Sequence, residues 1–288
     1  MVADPSVVVA DLHFAEAPRW HEDRLWFSDF YAGLVRSVRA DGSDLRVEAE
    51  VPEQPSGLGW LPDGRLLVVS MRDRKILRRE PDGTLVTHAD LADHATGHVN
   101  DMAVDAAGRA FVGNFGYDLM AGAPMTTAAL HRADPDGTVT EVATDLWFPN
   151  GIVLTDDNVL LVNETFGNRI TAFDLSPDGT LTNRRVWAEF APVPTEREFD
   201  KVMPQLAVAP DGACLAPDGA LWIADAIGGR LLRLVDGAIT DEVHPGTPVY
   251  ACALGGPDLT TLYACAAPDF FEHARRAATE GRLIAIPV

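Results

Sequence analysis

Three features of this 288-residue sequence predict an all-β fold, a six-bladed β-propeller whose four-stranded antiparallel blades surround a central channel. Short apolar runs are separated by turn residues too closely for helices. One position opens such a run six times, at Glu16, Ser56, Asn100, Asn150, Asp211 and Tyr250. The spacings between these openers are 40, 44, 50, 61 and 39 residues. Blades of about 40–50 residues, some carrying insertions, account for that series. Six units fill the chain, so one domain over residues 1–288 is expected.

Seven residues after each opener the chain reaches a turn-rich cluster, at Asp23, Asp63, Ala107, Asp157, Asp218 and Pro257. The first unit opens at Glu16, and its second strand ends at Asp29. In the second, Leu58 to Trp60 is followed by Pro62-Asp63-Gly64, the run Leu66 to Val69, a third strand Ile76 to Arg79 and the turn Asp82-Gly83. The third opens at Asn100 and continues with Leu130 to Arg132, Asp136-Gly137 and a fourth strand Val139 to Ala143. The fourth reads Asn150 to Leu154, Thr155-Asp156-Asp157, Val159 to Val162, Ile170 to Leu175, Asp178-Gly179 and Val186 to Phe190. The fifth has Asp211 to Leu215, Pro217-Asp218-Gly219 and Leu221 to Ala224. The sixth, from Tyr250, holds a helical segment near Phe271 to Glu280 and the strand Leu283 to Ile286, and it is one outer strand short. Val7-Val8-Val9 is placed to supply that strand and so remove an open sheet edge.

Charge narrows the partners. The chain carries 23 basic and 43 acidic residues, a net charge of −20, with no basic run. Nucleic-acid phosphates are repelled by such a field, which excludes nucleic acid as a partner. No run of eighteen apolar residues and no signal-peptide pattern is present. A cytoplasmic protein with no membrane association is therefore expected. Cys214, Cys252 and Cys265 are odd in number and lack Cys-x-x-Cys spacing, so they read as small core residues rather than as a disulfide or zinc framework.

Five of the six openers bear oxygens suited to a hard cation, and the innermost strand of a propeller blade lines its channel. Glu16, Asn150 and Asp211 supply two carboxylates and an amide carbonyl, a metal-ligand set for one divalent cation. Calcium is foremost, with magnesium, manganese, zinc or iron(II) as alternatives. Two carboxylates facing one channel repel each other unless a cation sits between them. Asn150-Gly151 and Pro210-Asp211-Gly212 also resemble ordinary turns. Their phase argues otherwise, because Asp156-Asp157 and Pro217-Asp218-Gly219 already fill the turn slots.

These residues resemble a known family, the SMP-30, gluconolactonase and luciferin-regenerating-enzyme group of six-bladed propellers. The resemblance rests on Ala15-Glu16-Ala17-Pro18-Arg19-Trp20, Val99-Asn100-Asp101 running to Gly108-Arg109, Phe148-Pro149-Asn150-Gly151-Ile152 and Pro210-Asp211-Gly212-Ala213-Cys214-Leu215. Asn183-Arg184-Arg185 and Leu254-Gly255-Gly256-Pro257-Asp258 extend it over the chain. It implies a divalent ion on the residues matching Glu16, Asn150 and Asp211, Asn100 at the metal or the substrate, and lactone hydrolysis. The chain departs from the family at His98, where sugar-lactone members often carry Arg.

The expected chemistry is opening of a lactone by metal-activated water, with Asp211 and Asn100 as the catalytic pair. Asp211 acts as general base, and Asp101 stands behind the Asn100 amide. His98, Tyr117, Asp118 and Glu164 join Asn100 as substrate contacts. A second tier of polar residues at the second-strand ends, Asp29, Ser70, Asn114, Glu164 and Asp225, either touches substrate or caps loops. Insertions at Leu119 to Ala129 and Ala191 to Ala209 are candidate lids, and the aromatic surroundings suggest a substrate less polar than a free sugar lactone. The other histidines, including His88 and His131, read as surface or loop residues. Two further readings stay open: hydrolysis of a phosphotriester or other ester, and a propeller that binds metal and ligand without turnover. No Gly-x-Ser-x-Gly, His-Glu-x-x-His or Gly-x-Gly-x-x-Gly motif competes.

Overall fold

A computed structural model describes residues 4–288 and contains twenty-four strands in six four-stranded antiparallel sheets. The first strand, β1 (Ser6–Leu12), belongs to the last sheet. Blade one is β2 (Ala15–His21), β3 (Arg24–Asp29), β4 (Leu34–Val38) and β5 (Arg46–Glu50). Blade two is β6 (Pro55–Trp60), β7 (Leu66–Ser70), β8 (Lys75–Arg79) and β9 (Leu85–Asp90). Blade three is β10 (Val99–Val104), β11 (Ala110–Asn114), β12 (Ala128–Ala133) and β13 (Val139–Leu146). Blade four is β14 (Pro149–Leu154), β15 (Val159–Glu164), β16 (Arg169–Leu175) and β17 (Leu181–Glu189), and a one-turn helix, α1 (Phe199–Val202), follows it. Blade five is β18 (Pro210–Leu215), β19 (Leu221–Asp225), β20 (Arg230–Val235) and β21 (Ala238–Val243). Blade six is β22 (Val249–Gly255), β23 (Thr261–Ala266) and β24 (Gly281–Pro287), with α2 (Glu272–Ala277) before its last strand. The fold is a six-bladed β-propeller.

Val7-Val8-Val9 does complete the sixth blade: β1 pairs antiparallel with β24, Ser6 opposite Ala285 and Leu12 opposite Gly281. The chain divides into two compact units. One holds the residues up to Ser56 together with Gly212–Val288, and the other is the continuous stretch Gly57–Asp211.

Burial follows strand order within each sheet. The second strands β7, β11 and β19 are buried at every residue, which is why they read as unbroken apolar runs rather than alternating ones. The outermost strands β5 and β21 are mostly exposed and polar. Within the discontinuous unit, Leu25, Phe27, Tyr263 and Leu283 form one core, and Trp222, Leu231, Cys252 and Leu262 another. In the continuous unit Phe111, Leu130, Ile152, Leu160 and Phe173 pack together. Each large apolar side chain removed from water in this way contributes about 1.5–3 kcal/mol.

The turns are set by their residue types. Gly64 adopts φ 85°, a left-handed conformation open to glycine, and its N–H reaches the Leu61 carbonyl at 2.9 Å. Asp63 Oδ1 accepts the Arg65 N–H at 3.1 Å, an Asx turn.

Two expectations need correction. His131 and His88 are not surface residues; they lie in β12 and β9 at 1% and 6% exposure. Cys252 and Cys265 are buried, but Cys214 is half-buried, and all three thiols are free. No helix among the described residues is long and apolar enough to cross a membrane.

Candidate active site

Every opener predicted from the repeat is the second residue of its blade's innermost strand: Glu16 in β2, Ser56 in β6, Asn100 in β10, Asn150 in β14, Asp211 in β18 and Tyr250 in β22. In β2, β10, β14 and β22 the pairing slips beside that position. On β10, for example, Val99 faces Asn114 and Met102 faces Val112, so three steps on the inner strand match two on its neighbour. That extra residue is a β-bulge, which re-aims side chains and leaves backbone groups needing partners. Adjacent carboxylates meet the need. Asp101 Oδ1 accepts the Met102 N–H at 2.9 Å, and Glu16 Oε2 accepts the Ala17 N–H at 2.8 Å. Asp101 thus caps the bulge that carries Asn100.

The openers are also held from the second strands. Asn163, one residue before the end of β15, donates through its side-chain amide to the Asp211 carbonyl. The neighbouring Thr165 hydroxyl donates to the Pro210 carbonyl at 2.9 Å. In blade one the equivalent residue, Ser28, donates to the Ser56 carbonyl at 2.6 Å. Asn100, Asn150 and Asp211 are 6%, 5% and 7% exposed.

The polar residues at the second-strand ends hold loops. Asp29 Oδ1 accepts the His13 and Phe14 N–H groups, each at 3.1 Å. Asn114 accepts the Gly116 N–H and donates to the Ala129 carbonyl. Asp225 accepts from the Gly228 N–H and from Arg230 Nε at 2.8 Å. Glu164 is fully buried, and its carboxylate accepts from the Trp147 N–H, both Nε and Nη2 of Arg169, and the Thr171 hydroxyl. The substrate role expected of Glu164 is corrected to that of loop holder, since its oxygens are engaged by Arg169 and Thr171 of its own blade and by the Trp147 N–H of the connection entering it.

His98, Tyr117 and Asp118 come together. They line one half-open cavity of about 210 Å³, joined by Arg72, Arg74, Thr96 and other residues of the same unit. The loops after β7 and β11 and the segment entering β10 build its walls. The His98 ring packs on Phe115 with centroids 5.7 Å apart, and Phe115, Phe148, Phe166 and Phe199 continue as a row at 4.4, 5.2 and 6.3 Å. Burial raises the Tyr117 phenol well above its usual range. The two insertions meet: the Met125 N–H donates to the Arg197 carbonyl at 2.7 Å, and the Arg197 guanidinium lies 4.3 Å over the Trp147 ring.

Sequence reasoning missed Arg72 and Arg74. The signal was in the repeat: they follow Ser70 at the same two- and four-residue offsets at which Gly116 and Asp118 follow Asn114. The cavity they help line carries the charged side chains of Arg72, Arg74 and Asp118.

The donor chemistry fits a hard divalent cation. Glu16, Asn150 and Asp211 offer carboxylate and amide oxygens, all at one register position. Among the described residues no three His, Cys, Asp or Glu side chains gather as a metal-holding group; the expected set has only two carboxylates beside its amide.

The profile of the SMP-30/gluconolactonase/LRE-like region matches residues 14–267. The chain belongs to that family. It is 30% identical over 267 residues to the pentonolactonase XacC of Haloferax volcanii, covering 91% of this chain and 84% of that protein. The 6-deoxy-6-sulfogluconolactonase of Pseudomonas putida is likewise 30% identical, over 273 residues, with 91% and 84% coverage. Among solved structures, a luciferin-regenerating enzyme shares the fold at a TM-score of 0.79 and 18% identity, covering 100% of this chain and 96% of that one.

Proposed function

We propose that this family member is a lactonase, a hydrolase that opens a cyclic ester with water activated at one divalent cation held by Glu16, Asn150 and Asp211. The observation that carries the reading is the common register of these three oxygen-bearing residues, each the second residue of an inner strand. Two lactonases among the relatives support the reaction class.

When held by these oxygens, a divalent cation would supply Lewis-acid polarisation of a lactone carbonyl and make the attacking water more acidic. Asp211 takes the proton as the water oxygen bonds to the carbonyl carbon. The ring C–O bond then breaks, and that proton passes to the departing ring oxygen, which leaves as a hydroxyl. Asn100 donates its side-chain amide to the substrate, with Asp101 keeping its bulge in shape. His98, Tyr117 and Asp118 receive the substituents of the ring. Calcium is the first candidate, with zinc, manganese, magnesium and iron(II) to be compared.

Hydrolysis of a lactone panel is expected only with added divalent metal, and it should stop on chelation. Asp211→Ala should lower kcat/KM by about 10³-fold, the scale of losing a positioned base. Full turnover in Asp211→Ala, or in chelated protein, would overturn the mechanism. Metal binding without turnover of any lactone or ester would favour a binding propeller instead.

A further inference from the structure

Second strands end at Asp29, Ser70, Glu164 and Asp225, and four residues beyond each the following turn takes a left-handed conformation. In three blades the residue there is Gly33 (φ 70°), Asn168 (φ 53°) or Gly229 (φ 60°), types that adopt it readily. In blade two it is Arg74, at φ 55°. A long side chain held in this conformation costs conformational energy, and such outliers point to a use for the side chain.

Arg74 is also fixed in place. Its N–H bonds to the Met71 carbonyl at 3.3 Å, its carbonyl accepts from the Leu91 N–H at 2.8 Å, and Nη1 donates to the Ala95 carbonyl at 2.9 Å. It lines the 210 Å³ cavity together with Arg72, His98, Tyr117 and Asp118. Two guanidinium groups thus stand against one carboxylate, in a chain whose net charge is −20. Arg presents planar paired donors that suit carboxylate, phosphate and sulfonate oxygens. Tyr117 adds a buried hydroxyl with no hydrogen-bond partner among the described residues.

We infer that this cavity selects lactones bearing an anionic substituent, a carboxylate, phosphate or sulfonate, which Arg72 and Arg74 hold. The inference rests on the lactonase reading and deepens it by naming the substrate class. Arg74 is the specificity determinant whose side chain justifies the strained turn.

The test compares kcat/KM for aldonolactones that share one ring and differ only in a terminal hydroxyl, carboxylate, phosphate or sulfonate. The anionic members should be favoured over the neutral one by about tenfold or more, the scale of a charge-assisted hydrogen bond. In Arg74→Gly, which installs the residue found in sibling turns, that ratio should fall by about tenfold, with Tm unchanged or raised. Arg74→Lys should keep part of the preference. Turnover of neutral and anionic lactones at equal efficiency would overturn this inference and leave the lactonase reading standing. So would an unchanged ratio in Arg74→Gly. If no lactone is turned over, calorimetric titration of chelated protein with an open-chain sugar acid carrying a terminal phosphate decides separately. Binding lost in Arg74→Gly supports the anion site, and affinity equal to that of the neutral sugar alcohol overturns it.

Discussion

Glu164 shows how little a residue's type says about its role until its partners are known. From the sequence it was an acid at a second-strand end, as available to substrate as Asp118. The fold bonds it to Arg169, Thr171 and the Trp147 N–H. Replacing Arg169 with Met leaves that carboxylate buried without its cation, and such losses cost about 3–5 kcal/mol. Chemical denaturation of Arg169→Met should show a drop of that size, while its folded fraction keeps lactone turnover within about twofold of wild type. A stable variant with lost turnover would return Glu164 to the site. The openers were legible because phase separated them from look-alike turns. Arg72 and Arg74 left only the faint signal of the offsets they share with Gly116 and Asp118, and the buried His131 left none, since what faces a side chain depends on the neighbouring loop or blade.

At the scale of elements, the glycines that follow openers have a packing reason. A Cβ on Gly57 would lie 2.6 Å from the Met102 nitrogen, and one on Gly212 would lie 2.4 Å from the Ala251 Cβ. Neighbouring inner strands approach too closely for any side chain there. Gly212→Ala should therefore destabilise the protein by about 1–3 kcal/mol or more through overpacking, read as a lower urea midpoint. A wild-type midpoint would show that the strands move apart freely. Strand positions and turns were readable from short apolar runs and the Asp-Gly pairs between them. The bulges at the openers were not, because one extra residue inside an apolar run looks like any other.

Across the whole molecule, titration of buried histidines gives stability a pH dependence. Burial, with a smaller contribution from His94, lowers the His131 pKa from 6.5 to about 4, and burial also lowers those of His88 and His21. Below pH 6.5 the unfolded chain takes up a proton that the folded His131 refuses, so its contribution is complete above that pH and is lost as pH falls toward 4. At about 1.4 kcal/mol per pH unit the loss approaches about 3 kcal/mol. Urea midpoints at pH 7, 5.5 and 4 should fall in that order, and His131→Gln should flatten the trend. An identical slope in the variant would move the effect to other groups. Blade number and the missing sixth-blade strand were visible in the repeats; the division into two units was not, because no change in composition or linker marks Ser56 or Gly212 in the sequence.

The pairing of β1 with β24 carries a consequence for synthesis. The stretch Gly57–Asp211 is continuous and holds the core of Phe111, Leu130, Ile152, Leu160 and Phe173 within itself, so that core can form while the ribosome is still adding residues. The other unit is assembled from the first and last portions of the chain, and Ser6 must wait for Ala285 before its ladder exists. Until then the early segment is an orphan strand, an open edge exposed to pairing with a stranger for as long as synthesis lasts.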